Sequence, residues 1–307
     1  MALLSLPLVA LMGFSAPQAG GRLHAATRPV VMSVANTLTA WQPGTLAKLV
    51  EGLGLQPKTY AADLGFDSFS IDGMSGAILS YEAPGKSNVA WCSALSMSDG
   101  ASNARCSITA WCGPLSDVPH LIASASASNG GINLFIDFRP RADCAYNPSG
   151  EYEEPASREA FAMSGNRKDF ASAFYTDEML AWRASLLALE GAVHTPLSAE
   201  GMAAQCASPL YLDLQLPMTD ASAAAAANAC EKACSTWLGW MQSSTEMKRD
   251  LPAGAKQTQV YARDTKVKAN LYGVMLGKYT AAYGEAGKGL AAADAGPLDE
   301  AYVGGGS

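Results

Sequence analysis

Histidine is almost missing from this chain: there are three in 307 residues, and His24 lies in the N-terminal leader. Charge is scarce as well, at 16% of residues, and it leans acidic, with 28 Asp and Glu against 21 Lys and Arg for a net of −7. An acidic chain has no general attraction for nucleic acid or an anionic bilayer. No internal apolar run approaches the ~18–20 residues that cross a membrane. The seven cysteines, at positions 92, 106, 112, 144, 206, 230 and 234, include no CxxC pair. With so few histidines beside them they offer no zinc ligand set, so no metal is expected. They read as reduced, buried thiols, and as disulfides only if the chain is secreted. GxGxxG, GxxxxGK[ST], HExxH and GxSxG are all missing. The sequence therefore shows no built-in nucleotide, flavin or metal site, and redox chemistry would need electrons from outside.

Hydrophobic residues make up 49% of the chain, enough for a sizeable core. Met1–Met12 is a short apolar block of signal-peptide size. After Phe14-Ser15-Ala16-Pro17 comes an acid-free stretch with Arg22 and Arg28. This order is similar to the two-part plastid-targeting sequences of algae with complex plastids, and an ordinary secretory signal is the alternative. Residues 1–33 are accordingly expected to be a presequence directing import to the plastid stroma. The fold is expected over 34–285, followed by a flexible Gly/Ala-rich tail at 286–307.

Between these ends the pattern alternates between helix and strand. Apolar spacing predicts a helix over Leu38–Leu55, after Pro43-Gly44. Strand-like segments follow at Phe66–Ile71, Gly76–Tyr81, Asn88–Ser96, Arg105–Cys112 and His120–Ser128. Asn129-Gly130-Gly131 signals a hairpin into Ile132–Phe138, INLFIDF. Arg158–Leu189 reads as helical, Pro209–Leu216 as a strand, and Ala221–Met241 as a long Ala-rich helix. The spacing suits an antiparallel meander rather than βαβ units. The expected fold class is a three-layer α/β/α sandwich with a central, mostly antiparallel sheet.

Several segments then follow one another in a particular order. They are Ser107-Ile108-Thr109-Ala110-Trp111, Pro119-His120-Leu121-Ile122, Gly130–Asp137, Arg139-Pro140-Arg141-Ala142-Asp143 and Asn147-Pro148. Ser208-Pro209 and Glu231–Leu238 come later, with weaker markers at Arg263-Asp264 and Tyr283-Gly284. In that order and spacing the chain resembles red chlorophyll catabolite reductase, across roughly residues 40 to 285. The resemblance implies an α/β/α sandwich shared with ferredoxin-dependent bilin reductases. It also implies reduction of an open-chain tetrapyrrole by electrons taken singly from reduced ferredoxin, with no bound cofactor. The protein's part would be positioning and proton delivery.

The resemblance has a gap. A pocket glutamate expected shortly after the Pro-His pair falls at Ser124, and a pocket aspartate expected near Val274 is missing. A serine hydroxyl is a poor proton donor at neutral pH. Asp137, His120 or a water could substitute, or the chain could bind pigment without reducing it, as a carrier or lyase-like chaperone. Asp137 shares a strand face with Asn133 and Phe135, and would either meet pyrrole N–H groups or pair with Arg139 or Arg141. Those two arginines could instead bind a propionate. His120 has a structural alternative, and Trp237 is either a stacking partner or core. The stretch from Lys248 to Lys278 holds seven basic residues, among them Arg249, Lys266 and Lys268, against two acidic ones, for a local net of +5. It could dock an acidic ferredoxin. A homodimer stays open.

Overall fold

The computed structural model describes residues 33–86, 88–113, 116, 118–141, 173–197, 206–243 and 257–297. Side chains at 86 and 257–263 are excepted. Every described residue belongs to one compact unit, Met32–Ser307.

Strand faces explain the architecture. Along β5 (Ala104–Cys112) one face carries Cys106, Ile108, Ala110 and Cys112, and the other carries Arg105, Ser107, Thr109 and Trp111. In β6 (His120–Ser128) Leu121, Ala123, Ala125 and Ala127 oppose His120, Ile122, Ser124 and Ser126. In β7 (Gly131–Arg139) Ile132, Leu134, Ile136 and Phe138 oppose Asn133, Phe135, Asp137 and Arg139. The small apolar face packs against α1 (Val34–Leu53), α3 (Asp177–Leu187) and α4 (Asp220–Ser243), whose Ala226, Cys230, Ala233 and Cys234 let helix and sheet approach closely. The polar face lies under α5 (Gln257–Ala295). Helices on both sides of the sheet make three layers, as the alternation implied.

The sheet has the order β1-β3-β4-β5-β6-β7-β9-β8, antiparallel throughout. Here β1 is Gln56–Lys58, β3 Met74–Glu82, β4 Val89–Ser98, β8 Val193–His194 and β9 Leu212–Pro217, and a short β2 (Phe69–Ile71) pairs with β3. The β6–β7 hairpin turns on Asn129 and Gly130, both at positive φ (51° and 78°), which the two-residue turn requires. The short α2 (Tyr60–Asp63) lies between β1 and β2.

Three boundaries differ from expectation. Helix α1 begins at Val34 and runs through Pro43, because Leu38 and Trp41 are buried in the core and that burial holds the turns before the proline. The helix expected over 158–189 is broken at Tyr175-Thr176: Ala173 and Phe174 are helical, and α3 begins anew at Asp177, where the Thr176 hydroxyl caps it by accepting from Met179 N; residues 158–172 lie outside the described residues. The supposed tail is helical to Ala295, with Leu290, Ala291 and Ala293 fully buried. High alanine content suggests a loose tail, yet small side chains are what allow this segment to pack closely. Among the described residues no helix is long and apolar enough to cross a membrane.

Helix α5 is not straight. Gly284 sits at φ 58°, ψ −136°, a conformation open to glycine alone. Tyr279 and Asp294 would stand ~22 Å apart on a straight helix at 1.5 Å per residue. Their side chains instead meet at 2.7 Å, and Lys268 Nζ donates to Pro297 O at 2.8 Å. The chain therefore reverses at Gly284 and runs back along itself. Gly287 sits at the close approach, where a Cβ would lie 2.2 Å from Tyr279 O.

Candidate functional site

A cleft of about 360 Å³ opens between the polar sheet face and α5. The strands contribute Arg105, Ser107, Thr109, Ile122, Ser124, Ser126, Asn133, Phe135 and Asp213. Helix α5 contributes Leu271, Val274, Met275, Lys278, Tyr279 and Asp294. The size lies at the low end of the ~300–1,000 Å³ of small-molecule sites. Buried Tyr279, Asp294 and Ser107 form its inner end, while exposed Asn133 and Lys278 form its mouth.

The inner end is built around Asp294. Tyr279 Oη donates to Asp294 Oδ2 at 2.7 Å, and Ser107 Oγ reaches the same oxygen at 3.4 Å. Ser93 Oγ lies 2.7 Å from the Asp294 carbonyl and 3.2 Å from Oδ1. A hydroxyl has one proton, and the shorter contact takes it, so Oδ1 is the oxygen left to carry a proton. Burial pushes this carboxyl above its ordinary range, against the pull of the Tyr279 and Ser93 hydroxyls and of Arg105. The Arg105 guanidinium stacks 4.7 Å from the Tyr279 ring centroid. Two lining atoms, Arg105 Nε and Thr109 Oγ1, are buried and lack a hydrogen-bond partner. At the mouth, Lys278 pairs with Asp213 at 3.2 Å.

A second polar cluster sits farther along the same sheet face, at the start of the described α5 side chains. The Cys112 amide donates to His120 Nδ1 at 3.0 Å, so Nδ1 is unprotonated and Nε2–H faces Asp264 Oδ1 at 2.9 Å. Arg141 donates from Nε to both Asp264 oxygens, from Nη2 to Oδ2, and from Nη1 to the carbonyls of Gly113 and Ser116. His120 and Asp264 are fully buried. Burial raises the Asp264 carboxyl, but Arg141 and His120 outweigh it and bring it down to about 2. Burial lowers His120, with Asp264 pulling the other way. Beside this cluster Asp137 Oδ2 lies 3.2 Å from Arg139 Nε, and Ser208 N and Oγ donate to Asp137 Oδ1. Arg139 Nη1 donates to Asn270 at 2.9 Å.

The residues singled out from the sequence are thus divided. Ser124 and Asn133 line the cleft. Asp137, His120, Arg139 and Arg141 share its sheet face but are not among its lining residues; they are spent on one another, on Asp264 and on backbone, which ties α5 to the sheet. Trp237 lies in the opposite layer, fully buried, with Nε1 donating to Pro119 O at 2.8 Å, so it is core and not a stacking platform. Its helix crosses the apolar face, a choice that a Trp-Leu pair in the sequence does not reveal. Lys268 is 1% exposed and clasps Pro297, so burial removes it from any docking surface. Lys266 is exposed. Lys248 and Arg249 lie outside the described residues. Asp294, Tyr279 and Arg105 carry no motif that marks them in the sequence. Asp294 stood in the presumed tail, and the one available signal was a lone acid within the apolar run LAAADAG.

Together these features define an α/β/α sandwich with a polar, ligand-sized cleft under one face of its sheet. The fold is similar to that of selenomethionine-labelled phytochromobilin synthase from tomato, whose crystal structure is a complex with biliverdin. The TM-score is 0.59 at 14% identity, covering 84% of this chain and 82% of that one. No family model and no curated protein matches the sequence.

Proposed function

We propose that this chain binds an open-chain tetrapyrrole in the cleft between β5–β7 and α5 and reduces it with electrons from reduced ferredoxin. The carrying observation is a buried polar sheet face with two unpartnered lining atoms, Arg105 Nε and Thr109 Oγ1. An unpaired buried polar atom costs ~1–3 kcal/mol, which a bound ligand would offset. The likeness to a fold crystallised with biliverdin supports the ligand class. The sequence resemblance supports red chlorophyll catabolite as the particular substrate, the plastid stroma as the compartment, and the absence of a bound cofactor.

Reducing one double bond takes two electrons, delivered singly, and two protons. Asp294 is suited to give one proton: it lines the cleft, and burial favours its protonated form. The second enters from solvent at the mouth. Ser124, where the resemblance would place a glutamate, then needs no chemical role.

An anaerobic assay with reduced ferredoxin and either biliverdin or red chlorophyll catabolite tests the reading. Loss of the bound pigment's absorption marks an enzyme. A stable bound spectrum marks a carrier, the reading that the missing carboxylate at Ser124 favours. Exposed Lys266, with the rest of the basic Lys248–Lys278 stretch, would help dock the donor, so its binding should weaken with salt.

A further inference from the structure

We infer that Arg105 is the anchor for an ionised carboxylate of the ligand, so that the cleft selects acidic pigments over their neutral esters. This rests on the tetrapyrrole reading above.

Three arginines stand on the polar sheet face, and two are committed. Arg139 is ion-paired with Asp137 and bonded to Asn270, and Arg141 is bound to Asp264 and two carbonyls. Arg105 has no carboxylate in salt-bridge contact among the described residues. Its Nε is buried and unpartnered, while its guanidinium lies over the Tyr279 ring and is hydrogen-bonded to the side chains of Tyr279 and Tyr283. These contacts orient the planar fork and leave Nε for an acceptor. A guanidinium donates to carboxylate through two parallel N–H groups, which a neutral ester cannot match in charge.

The other charges of the cleft do not cancel this attraction. Asp213 is neutralised by Lys278 at 3.2 Å. Asp294 is surrounded by the hydroxyls of Tyr279, Ser93 and Ser107, and burial favours its neutral form. Of the three arginines on this sheet face, Arg105 is the one with no carboxylate in salt-bridge contact among the described residues, so it sets the sign of the ligand group at this end. Arg105 and Ser107 are two apart on one strand face, ~6.6 Å along β5, and Ser107 touches Asp294. The anchored carboxylate would thus hold the pigment beside the acid.

The test is an absorbance titration of the full chain with biliverdin and with its dimethyl ester, repeated on Arg105→Met. The diacid should bind the unaltered chain at least tenfold more tightly than the ester. Arg105→Met should lose that preference by weakening diacid binding alone. Equal affinity of the unaltered chain for both forms would overturn the carboxylate role while leaving the tetrapyrrole reading intact, and it needs no variant to fold. An Arg105→Met protein that keeps the preference would also overturn it. Binding of neither form would overturn both readings.

Discussion

Tyr279 Oη and Asp294 Oδ2 lie 2.7 Å apart although fifteen residues separate them on one helix. Only the reversal at Gly284 allows this. The bond joins the two limbs of α5, and the returning limb carries the carboxyl that meets the cleft. The helix hairpin and the site are therefore one device.

Asp294→Asn keeps an acceptor for Tyr279 but cannot release a carboxyl proton. With reduced ferredoxin in excess, kcat should fall ~100–10,000-fold, while pigment affinity stays within a few-fold. An Asn variant that turns over at the normal rate would remove Asp294 from the chemistry.

Ser124→Ala and Asp137→Asn should separate lining from locking. Ser124 lines the cleft without a proton to give, so its loss should change kcat by a few-fold at most. Asp137 holds Arg139 and Ser208 in a buried pair, and removing one partner of such a pair costs ~3–5 kcal/mol. Its variant should show a lowered unfolding midpoint. A Ser124→Ala protein with a hundredfold lower kcat would contradict this division.

Acid should unfold the chain in two stages of proton uptake. The folded pKa of Asp264, about 2, is below its ordinary 3.8, so its stabilisation is full above pH 3.8 and is lost as pH falls toward 2. That lowering corresponds to ~2–3 kcal/mol. His120 is also depressed when folded. The unfolded chain takes up its proton first, and stability begins to decline as pH drops below 6.5. Urea midpoints measured from pH 8 to pH 3 should fall on the acid side. His120→Gln should flatten the part below pH 6.5, and an unchanged slope there would refute the assignment.

Gly287→Ala would put a methyl 2.2 Å from Tyr279 O, so the two limbs of α5 must part. Overpacking of this kind costs ~1–3 kcal/mol, or several degrees in Tm. Pigment affinity should drop with it, because Asp294 moves. Gly239→Ala, exposed in α4 where a Cβ meets nothing within 4 Å, is the control: it should leave pigment affinity unchanged and raise rather than lower Tm.

Much of the fold was legible before any coordinate. Period-two alternation in RCSITAWC and INLFIDF told which side chains share a face, and Asn129-Gly130 told where the hairpin turns. Both depend on local backbone geometry, which neighbouring residues fix. The placing of Ser124 and Asn133 beside one helix layer followed from the same alternation. What the alternation cannot tell is which layer covers a face, or which charge meets which. Trp237 went to the opposite layer, Arg139 and Arg141 were consumed by Asp137 and Asp264, and the acid of the cleft came from a segment read as loose. The pairing of Asp137 with Arg139, two positions away, was one of the readings open in the sequence; the other outcomes depend on contacts between residues more than a hundred positions apart, as His120 to Asp264 and Ser107 to Asp294 are. The energy of a buried charge is decided by its partner and by the water it loses, and both exist only once the chain has folded.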